Sequence, residues 1–156
     1  MADEKTLNQA KNVYQTLCQA LDHRNWKYRK EEDDLVVVFD VSGDDFPMSF
    51  VIAVDAERQL IRLQSKLPVT MSEDNRLLGA AAACIAGYYL VDGNFDYDIS
   101  SGTIHFRMTA CFRESIIGEE LFAYLIDCAC GTIDNYNDKF FMLNKGLIDL
   151  KKFGED

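Results

Sequence analysis

A histidine and a cysteine on one predicted strand are the first candidates for chemistry. His105 and Cys111 lie six positions apart in the segment "IHFRMTACF". A thiol beside an imidazole is the arrangement that activates a cysteine nucleophile. Side chains six residues apart on an extended strand are separated by about 20 Å. His105 therefore cannot take the proton of the Cys111 thiol, and the pair predicts no nucleophilic site.

The remaining motifs that could bind a metal or a phosphate are equally weak. Cys128 and Cys130 lie in a predicted helix, where residues two positions apart point about 200° away from each other. The acidic pairs at 33–34 and 44–45 lack the spaced ligands of a calcium loop. No glycine-rich phosphate-binding motif is present. We therefore predict no catalytic residue, no metal site and no cofactor.

Length and composition predict one globular domain spanning residues 1–156. The chain is 48% apolar and 27% charged, which is ordinary for a globular protein. Its formal net charge of −10 opposes nucleic-acid phosphates and anionic membrane surfaces. Neither nucleic acid nor a membrane is therefore expected as a partner.

Cysteine usage and hydropathy predict a cytoplasmic protein. The five cysteines are an odd number, and the first residues do not form a charged segment followed by an apolar one. The longest apolar stretch, 77–91, is too short and too rich in alanine and glycine to span a bilayer. We expect reduced thiols and no secretion signal.

Apolar periodicity predicts an α+β fold. Residues 5–22 have the three- and four-residue spacing of an amphipathic helix. Three or four strands follow as an antiparallel meander, then a helix after Ser72, a hairpin over 94–112, and a long helix after Ser115. The predicted order is α-β-β-β-α-β-β-α, in which helices pack against an antiparallel sheet.

Strand parity identifies a candidate binding surface, because alternate side chains of a strand point to opposite faces. Leu35, Val37, Phe39 and Val41 share one face, as Met48, Phe50, Ile52 and Val54 do in the next strand. The opposite face carries four further apolar residues: Val36, Val38, Val51 and Ala53. A sheet that is apolar on both faces needs helices on one side and helices, a second subunit or a ligand on the other.

Two further segments carry expectations about packing. The helix over 77–90 is nearly apolar all round, which predicts deep burial in the core or in a dimer interface. In the hairpin, the acidic face of the first strand is expected to meet His105 and Arg107 across the ladder. Gly93 and Gly102 are expected to serve turn geometry.

With this order of elements, the chain resembles the YbjN-type domain family, described as sensory transduction regulators of bacteria. The resemblance rests on the small-residue helix over 77–90, the junction "DGNFDYD", the segment "SGTIHFRM" and the long helix that begins near "GEELF". It covers roughly residues 13–146 and implies a type III secretion chaperone-like fold without an established enzyme activity.

Two hypotheses about function follow. In the favoured one, the chain is a non-enzymatic binding module, chaperone-like or regulatory, and forms a homodimer. Its acidic surface, including Asp44 and Asp45, would attract a basic and hydrophobic protein or peptide segment, which the second sheet face would hold. In the alternative, the chain is an enzyme or a small-ligand sensor whose site is dispersed along the sequence.

Overall fold

Helices pack on one face of a six-stranded antiparallel sheet in the computed structural model, which describes residues 3–155. The elements are, in chain order, α1 (Glu4–His23), β1 (Arg29–Glu31), β2 (Val36–Ser42), β3 (Pro47–Asp55), β4 (Leu60–Thr70), α2 (Arg76–Tyr89), β5 (Asn94–Asp98), β6 (Thr103–Cys111), α3 (Glu119–Asn144) and α4 (Leu150–Phe153). The strands lie in the order β1-β2-β3-β4-β6-β5, so β1 and β5 form the edges.

The predicted α+β class and antiparallel sheet are confirmed, whereas the predicted order of elements is incomplete. Within residues 3–155, four strands lie between α1 and α2, which agrees with the three or four expected for the meander, whereas the predicted order counts three. The additional strand, β1, pairs with β2 over only three residues. The sequence predicts a short edge strand over 27–30, which overlaps β1, but the predicted order of elements does not count it. The short helix α4 is also missing from the predicted order.

Strand alternation explains how the sheet joins the helices. On β2 and β3, the side chains of Val37, Phe39, Phe50 and Ile52 are at most 3% exposed. They belong to one apolar core together with the buried residues of α1 and α3. This is the face that parity predicts as core, and the prediction is confirmed.

The end of α1 is joined to α3 by two polar contacts. The Arg24 guanidinium donates two hydrogen bonds of 2.8 Å to the Asp127 carboxylate, and this contact lowers the pKa of Asp127. The His23 Nδ1 atom lies 2.6 Å from a carboxylate oxygen of Glu119. These two basic residues therefore hold the helices together across the face of the sheet.

Helices α2 and α3 both begin three residues later in the chain than the serines at 72 and 115 predict. Ser72 precedes a 3-10 turn rather than α2, and its side chain makes no capping hydrogen bond. Helix α3 begins after Gly118. The Ser115 hydroxyl instead donates to the carbonyl of Arg113 within the preceding loop. Serine stabilises tight turns as well as helix starts, so the position of a serine alone does not locate the first residue of either helix.

The β5–β6 hairpin depends on two glycines in the left-handed region. Gly93 precedes β5 with φ of 80°, and Gly102 closes the turn with φ of 76°. A Cβ atom at Gly93 would overlap the Phe106 ring, and one at Gly102 would overlap the Met71 carbonyl. Backbone conformation and close approach therefore both require glycine, which confirms the turn role expected for these positions.

Candidate binding surface

Four apolar side chains form one patch on the sheet face opposite the helices. The cross-strand register places Val36 opposite Ala53 and Val38 opposite Val51. Directly opposed residues have Cβ atoms about 5 Å apart, so the four side chains lie next to one another. We call these four residues the valine patch. Register thus brings together all four apolar candidates from the sequence.

The valine patch lies on a face that is open to solvent. Val51 is 40% exposed, whereas its chain neighbour Ile52 is fully buried on the helix-covered face. Val36, Val38 and Ala53 are half-buried. An apolar patch of this kind, in the middle of a sheet and without a covering layer, is a characteristic feature of interaction surfaces.

Polar residues border the valine patch on both sides. Towards the β1 edge, Arg29 lies opposite Val38, and its guanidinium forms an ion pair of 3.1 Å with Glu31. Towards the centre of the sheet, Gln64 lies opposite Val51 and Arg62 lies opposite Ala53. The valine patch is therefore bordered by the Arg29–Glu31 ion pair at the sheet edge and by Gln64 and the basic Arg62 on β4.

The acidic candidates Asp44 and Asp45 do not lie beside this patch. They occupy the β2–β3 turn, where the backbone N–H of Asp44 donates to the Asp134 carboxylate of α3 over 3.2 Å. Burial and the neighbouring Asp45 carboxyl raise the pKa of Asp138. Because Val38 is four residues from the end of β2, about 13 Å separates it from this turn.

The predicted charge pairing across the hairpin is confirmed for Arg107. Its Nε and Nη2 atoms donate to the two oxygens of Asp96 over 2.6 and 2.9 Å. This bidentate contact is the main cause of the lowered pKa of Asp96. His105 lies directly opposite Asp96 in the ladder. The hairpin that follows α2 therefore carries an ion pair on the open face.

Helix α2 is not buried on every side, contrary to the sequence expectation. Its buried residues are Gly79, Ala82, Ala83 and Ala86, and Gly79 lies against Tyr97 of β5. On the other side, Leu77 is 75% exposed and Tyr88 is 83% exposed. Small residues thus bring α2 close to the sheet, while large apolar side chains face solvent. This exposed side suits the second expectation, a dimer interface.

Two of the five cysteines, Cys18 and Cys130, have thiols whose surroundings disfavour nucleophilic chemistry. Burial raises the pKa of the Cys18 thiol, and burial with neighbouring carboxylates raises that of Cys130 to about 11. A nucleophilic cysteine needs the opposite shift, because the thiolate is the reactive form. Within residues 3–155, no group of three or more histidine, cysteine, aspartate or glutamate side chains could hold a metal ion.

A surface hollow of about 780 Å³ is lined in part by polar groups that bind one another. The Gln59 amide donates to Gln9, and Gln9 donates to the carbonyl of Phe112. Arg113 donates to the Gln59 side-chain oxygen over 3.1 Å. These three side chains of the lining therefore already have hydrogen-bond partners within the protein.

Helix length and hydropathy also bear on the membrane expectation. Among the helices of the described residues, none combines the length and the apolar character needed to cross a bilayer.

Comparison with known proteins identifies the fold. No family model matches the chain, and no curated protein matches it. A chain of the HopA1–SchA chaperone–effector complex matches with a TM-score of 0.60 at 11% identity, covering 88% of this chain and 99% of that chain. The chain has a type III secretion chaperone-like fold.

Two other solved structures have the same architecture. A chain of the ExsC–ExsE complex matches with a TM-score of 0.58 at 12% identity, covering 81% of this chain and 91% of that chain. YbjN, a proposed transcription regulator from E. coli, matches with a TM-score of 0.56 at 13% identity, covering 78% of this chain and 85% of that chain. The expected YbjN-type fold is therefore confirmed. At these identities, the likeness concerns the fold.

The basic residues of β4 were not among the binding residues predicted from the sequence. Arg62 and Lys66 alternate with the buried residues Ile61, Leu63 and Ser65, so they project onto the open face. Applying parity to β4, as to β2 and β3, would have placed both cations on the same face as the valine patch.

Proposed function

We propose that the chain is a non-enzymatic protein-binding module with a chaperone-like or regulatory role. The observation that carries the proposal is the valine patch, which lies exposed on a sheet face opposite the helices. The fold supports it, because chains of the HopA1–SchA chaperone–effector complex and of the ExsC–ExsE complex have the same architecture. The raised pKa values of the Cys18 and Cys130 thiols also disfavour nucleophilic chemistry at these two positions.

The partner in this proposal is an extended protein segment that lies on the open face. Alternate side chains of such a segment would bury themselves on Val38 and Val51, and apolar burial would supply most of the affinity. The segment would be disordered before binding, because a disordered segment that becomes ordered on binding can cover a large surface of its partner. The predicted cytoplasmic location forms part of this proposal and rests on the five free thiols.

A capture experiment with matched variants tests this function. Tagged wild type, Val38→Asp and Val51→Asp proteins are incubated in parallel with lysate of the source organism, and bound proteins are quantified by mass spectrometry. The control is Ile116→Asp, because Ile116 is a fully exposed aliphatic residue outside the patch. We expect one protein to be retained by the wild type and by the control but not by the two valine variants.

Equal retention by folded Val51→Asp and wild type would overturn the function assigned to this face. As a further readout, the retained protein is co-expressed with each variant, and its soluble fraction is measured. A chaperone-like role predicts that this fraction falls with Val51→Asp and not with Ile116→Asp.

We also propose a homodimer formed through α2. Leu77, Ala81, Cys84 and Tyr88 are spaced so that they follow one side of the helix. Leu77, Cys84 and Tyr88 are exposed, and Ala81 is half-buried. Isologous pairing of this side with a second copy would cover its large apolar groups.

Light scattering tests the dimer. We expect about twice the chain mass of 17.8 kDa for the wild type. A double variant with Leu77→Glu and Tyr88→Glu should be monomeric, whereas Ile116→Glu should remain dimeric because it removes an equally exposed apolar group elsewhere. A monomeric wild type at micromolar concentration would contradict this part of the proposal.

A further inference from the structure

Two cations on the central strand β4 stand on the open face without ion-pair partners. Arg62 and Lys66 are both exposed, and neither takes part in a salt bridge with another residue between 3 and 155. The chain as a whole carries a net charge of −10. Unpaired basic groups at the centre of the open face therefore differ in sign from most of the protein.

Arg62 also lines a shallow depression of about 320 Å³ on this face, together with Arg58 and Arg107. Ala53, one of the four residues of the valine patch, lines the same depression and lies directly opposite Arg62. Asp55 is the acidic side chain in the lining. The apolar patch and the basic depression thus form one continuous surface.

The three arginines differ in whether their guanidinium groups already form ion pairs within the protein. Arg58 pairs with Asp55 over 3.1 Å, and Arg107 pairs bidentately with Asp96. Arg62 has no such carboxylate within ion-pair distance in the described part of the chain. A carboxylate that enters the depression would therefore meet one unpaired guanidinium and two that are each paired with one acid.

We propose that this depression binds a carboxylate of the captured segment, so that the segment is apolar and acidic. The inference rests on the proposed function, because the same segment would cover the valine patch. It reverses the sign expected from net charge, which suggested a basic segment. The acids at the β2–β3 turn lie more than about 13 Å beyond Val38 along β2, and charges separated by more than about 8 Å are largely screened at physiological salt. Asp40, the nearer acid on the open face, accepts a hydrogen bond from the Ser49 hydroxyl.

Strand spacing sets the sequence pattern that such a segment needs. Neighbouring strands are about 4.8 Å apart, so β2 and β4 lie roughly 10 Å from each other and β2 and β6 roughly 14 Å. In an extended segment crossing the strands, side chains on one face recur about every 6.8 Å. An apolar residue over Val38 therefore requires an acidic residue two to four positions further along to reach Arg62 or Arg107.

Two synthetic peptides of about twelve residues test the inference. Both alternate leucine and serine in the same pattern, and they differ only in carrying glutamates or lysines at the same positions. Binding to the full chain is measured by fluorescence anisotropy at physiological salt. We expect the glutamate peptide to bind at least about 10-fold more tightly than the lysine peptide, because carboxylate–guanidinium contacts are charge-assisted.

Variants assign the preference to the depression. Arg62→Glu should weaken the glutamate peptide by about 10-fold or more and remove its advantage over the lysine peptide. Arg62→Gln, which adds no repulsion, should have an intermediate effect. Lys151→Glu is the control, because Lys151 is an exposed cation on α4. Melting temperatures measured beside each titration identify any variant that fails to fold.

Equal or tighter binding of the lysine peptide would overturn the inference, and so would unchanged glutamate binding by folded Arg62→Glu. Failure of both peptides to bind would overturn it as well. These results are distinguishable from failure of the proposed function. If the chain prefers the lysine peptide and Val51→Asp abolishes this binding, the valine patch remains the binding surface. If Val51→Asp changes neither peptide binding nor lysate capture, the valine patch is refuted as the binding surface.

Discussion

Two adjacent residues of β3 provide the sharpest test of which sheet face is core. Val51 is 40% exposed on the open face, and Ile52 is fully buried beneath the helices. We expect Val51→Asp to yield a folded protein and Ile52→Asp to prevent folding. The same charge is introduced one residue apart along one strand, so the two variants differ mainly in the face to which it points.

The expected magnitudes follow from exposure. Complete burial of a valine side chain contributes about 1.5–3 kcal/mol. Because Val51 is 40% exposed in the folded state, its replacement should lower the free energy of unfolding by about 1–2 kcal/mol, with a further part from the lower strand propensity of aspartate. At Ile52 the variant loses the whole apolar contribution and buries an unpaired carboxylate, which together cost more than about 4–5 kcal/mol.

Urea unfolding followed by far-ultraviolet circular dichroism at pH 7 measures both values. The controls are Val51→Ala and Ile52→Val, which shorten each side chain without adding charge. The free energy of unfolding of a typical domain is about 5–15 kcal/mol, so Ile52→Asp should remove most or all of it. The reasoning is refuted when Val51→Asp is as destabilising as Ile52→Asp, since the valine patch would then belong to a covered core.

Three further predictions concern polar groups and one turn. Asn137 is 1% exposed, and both polar atoms of its side chain lack hydrogen-bond partners among residues 3–155. Asn137→Leu should therefore raise the free energy of unfolding by about 1–3 kcal/mol, and a lower free energy of unfolding in a urea titration would contradict this. The raised pKa of Asp138 means that the folded state disfavours its ionised form beside Asp45. Asp138→Asn should therefore stabilise the protein at pH 7 by less than about 1 kcal/mol, and the gain should shrink as the pH falls towards about 4; a gain that is constant with pH would exclude the repulsion. Gly102→Ala should lower the melting temperature, because its φ is 76° and its Cβ would overlap the Met71 carbonyl; an unchanged melting temperature would show that the turn can relax.

Strand parity predicted the core and the valine patch from the sequence because both depend on local alternation. Phe39 and Phe50 are buried, and Val38 and Val51 share the opposite face, as alternation requires. The ion pair between Arg107 and Asp96 followed from the same pattern, applied across a hairpin whose turn is short. Features that depend on the two-residue periodicity of strands could thus be predicted from the sequence alone.

The surroundings of the patch could not be predicted, because they depend on tertiary placement. The sequence does not reveal that the β2–β3 turn carries Asp44 and Asp45 towards α3 rather than towards the open face. Nor does it show that β4 lies between β3 and β6, which brings Arg62 and Arg107 to one depression. Helix α2 was misjudged for a related reason. Its composition gives no polar side, yet only its small residues reach the sheet, so Leu77 and Tyr88 remain exposed.

Site-specific photo-crosslinking at position 51 tests the central claim, that the valine patch holds a segment of another protein, most directly. A benzophenone amino acid replaces Val51 in one version of the chain and the fully exposed Ile116 in the other, and both are irradiated in lysate of the source organism. We predict a crosslink from position 51 to one contiguous segment of one other protein, absent from position 116 and lost when Val38→Asp is added. The claim is contradicted if position 51 gives the same products as position 116, or crosslinks only to a second copy of the chain.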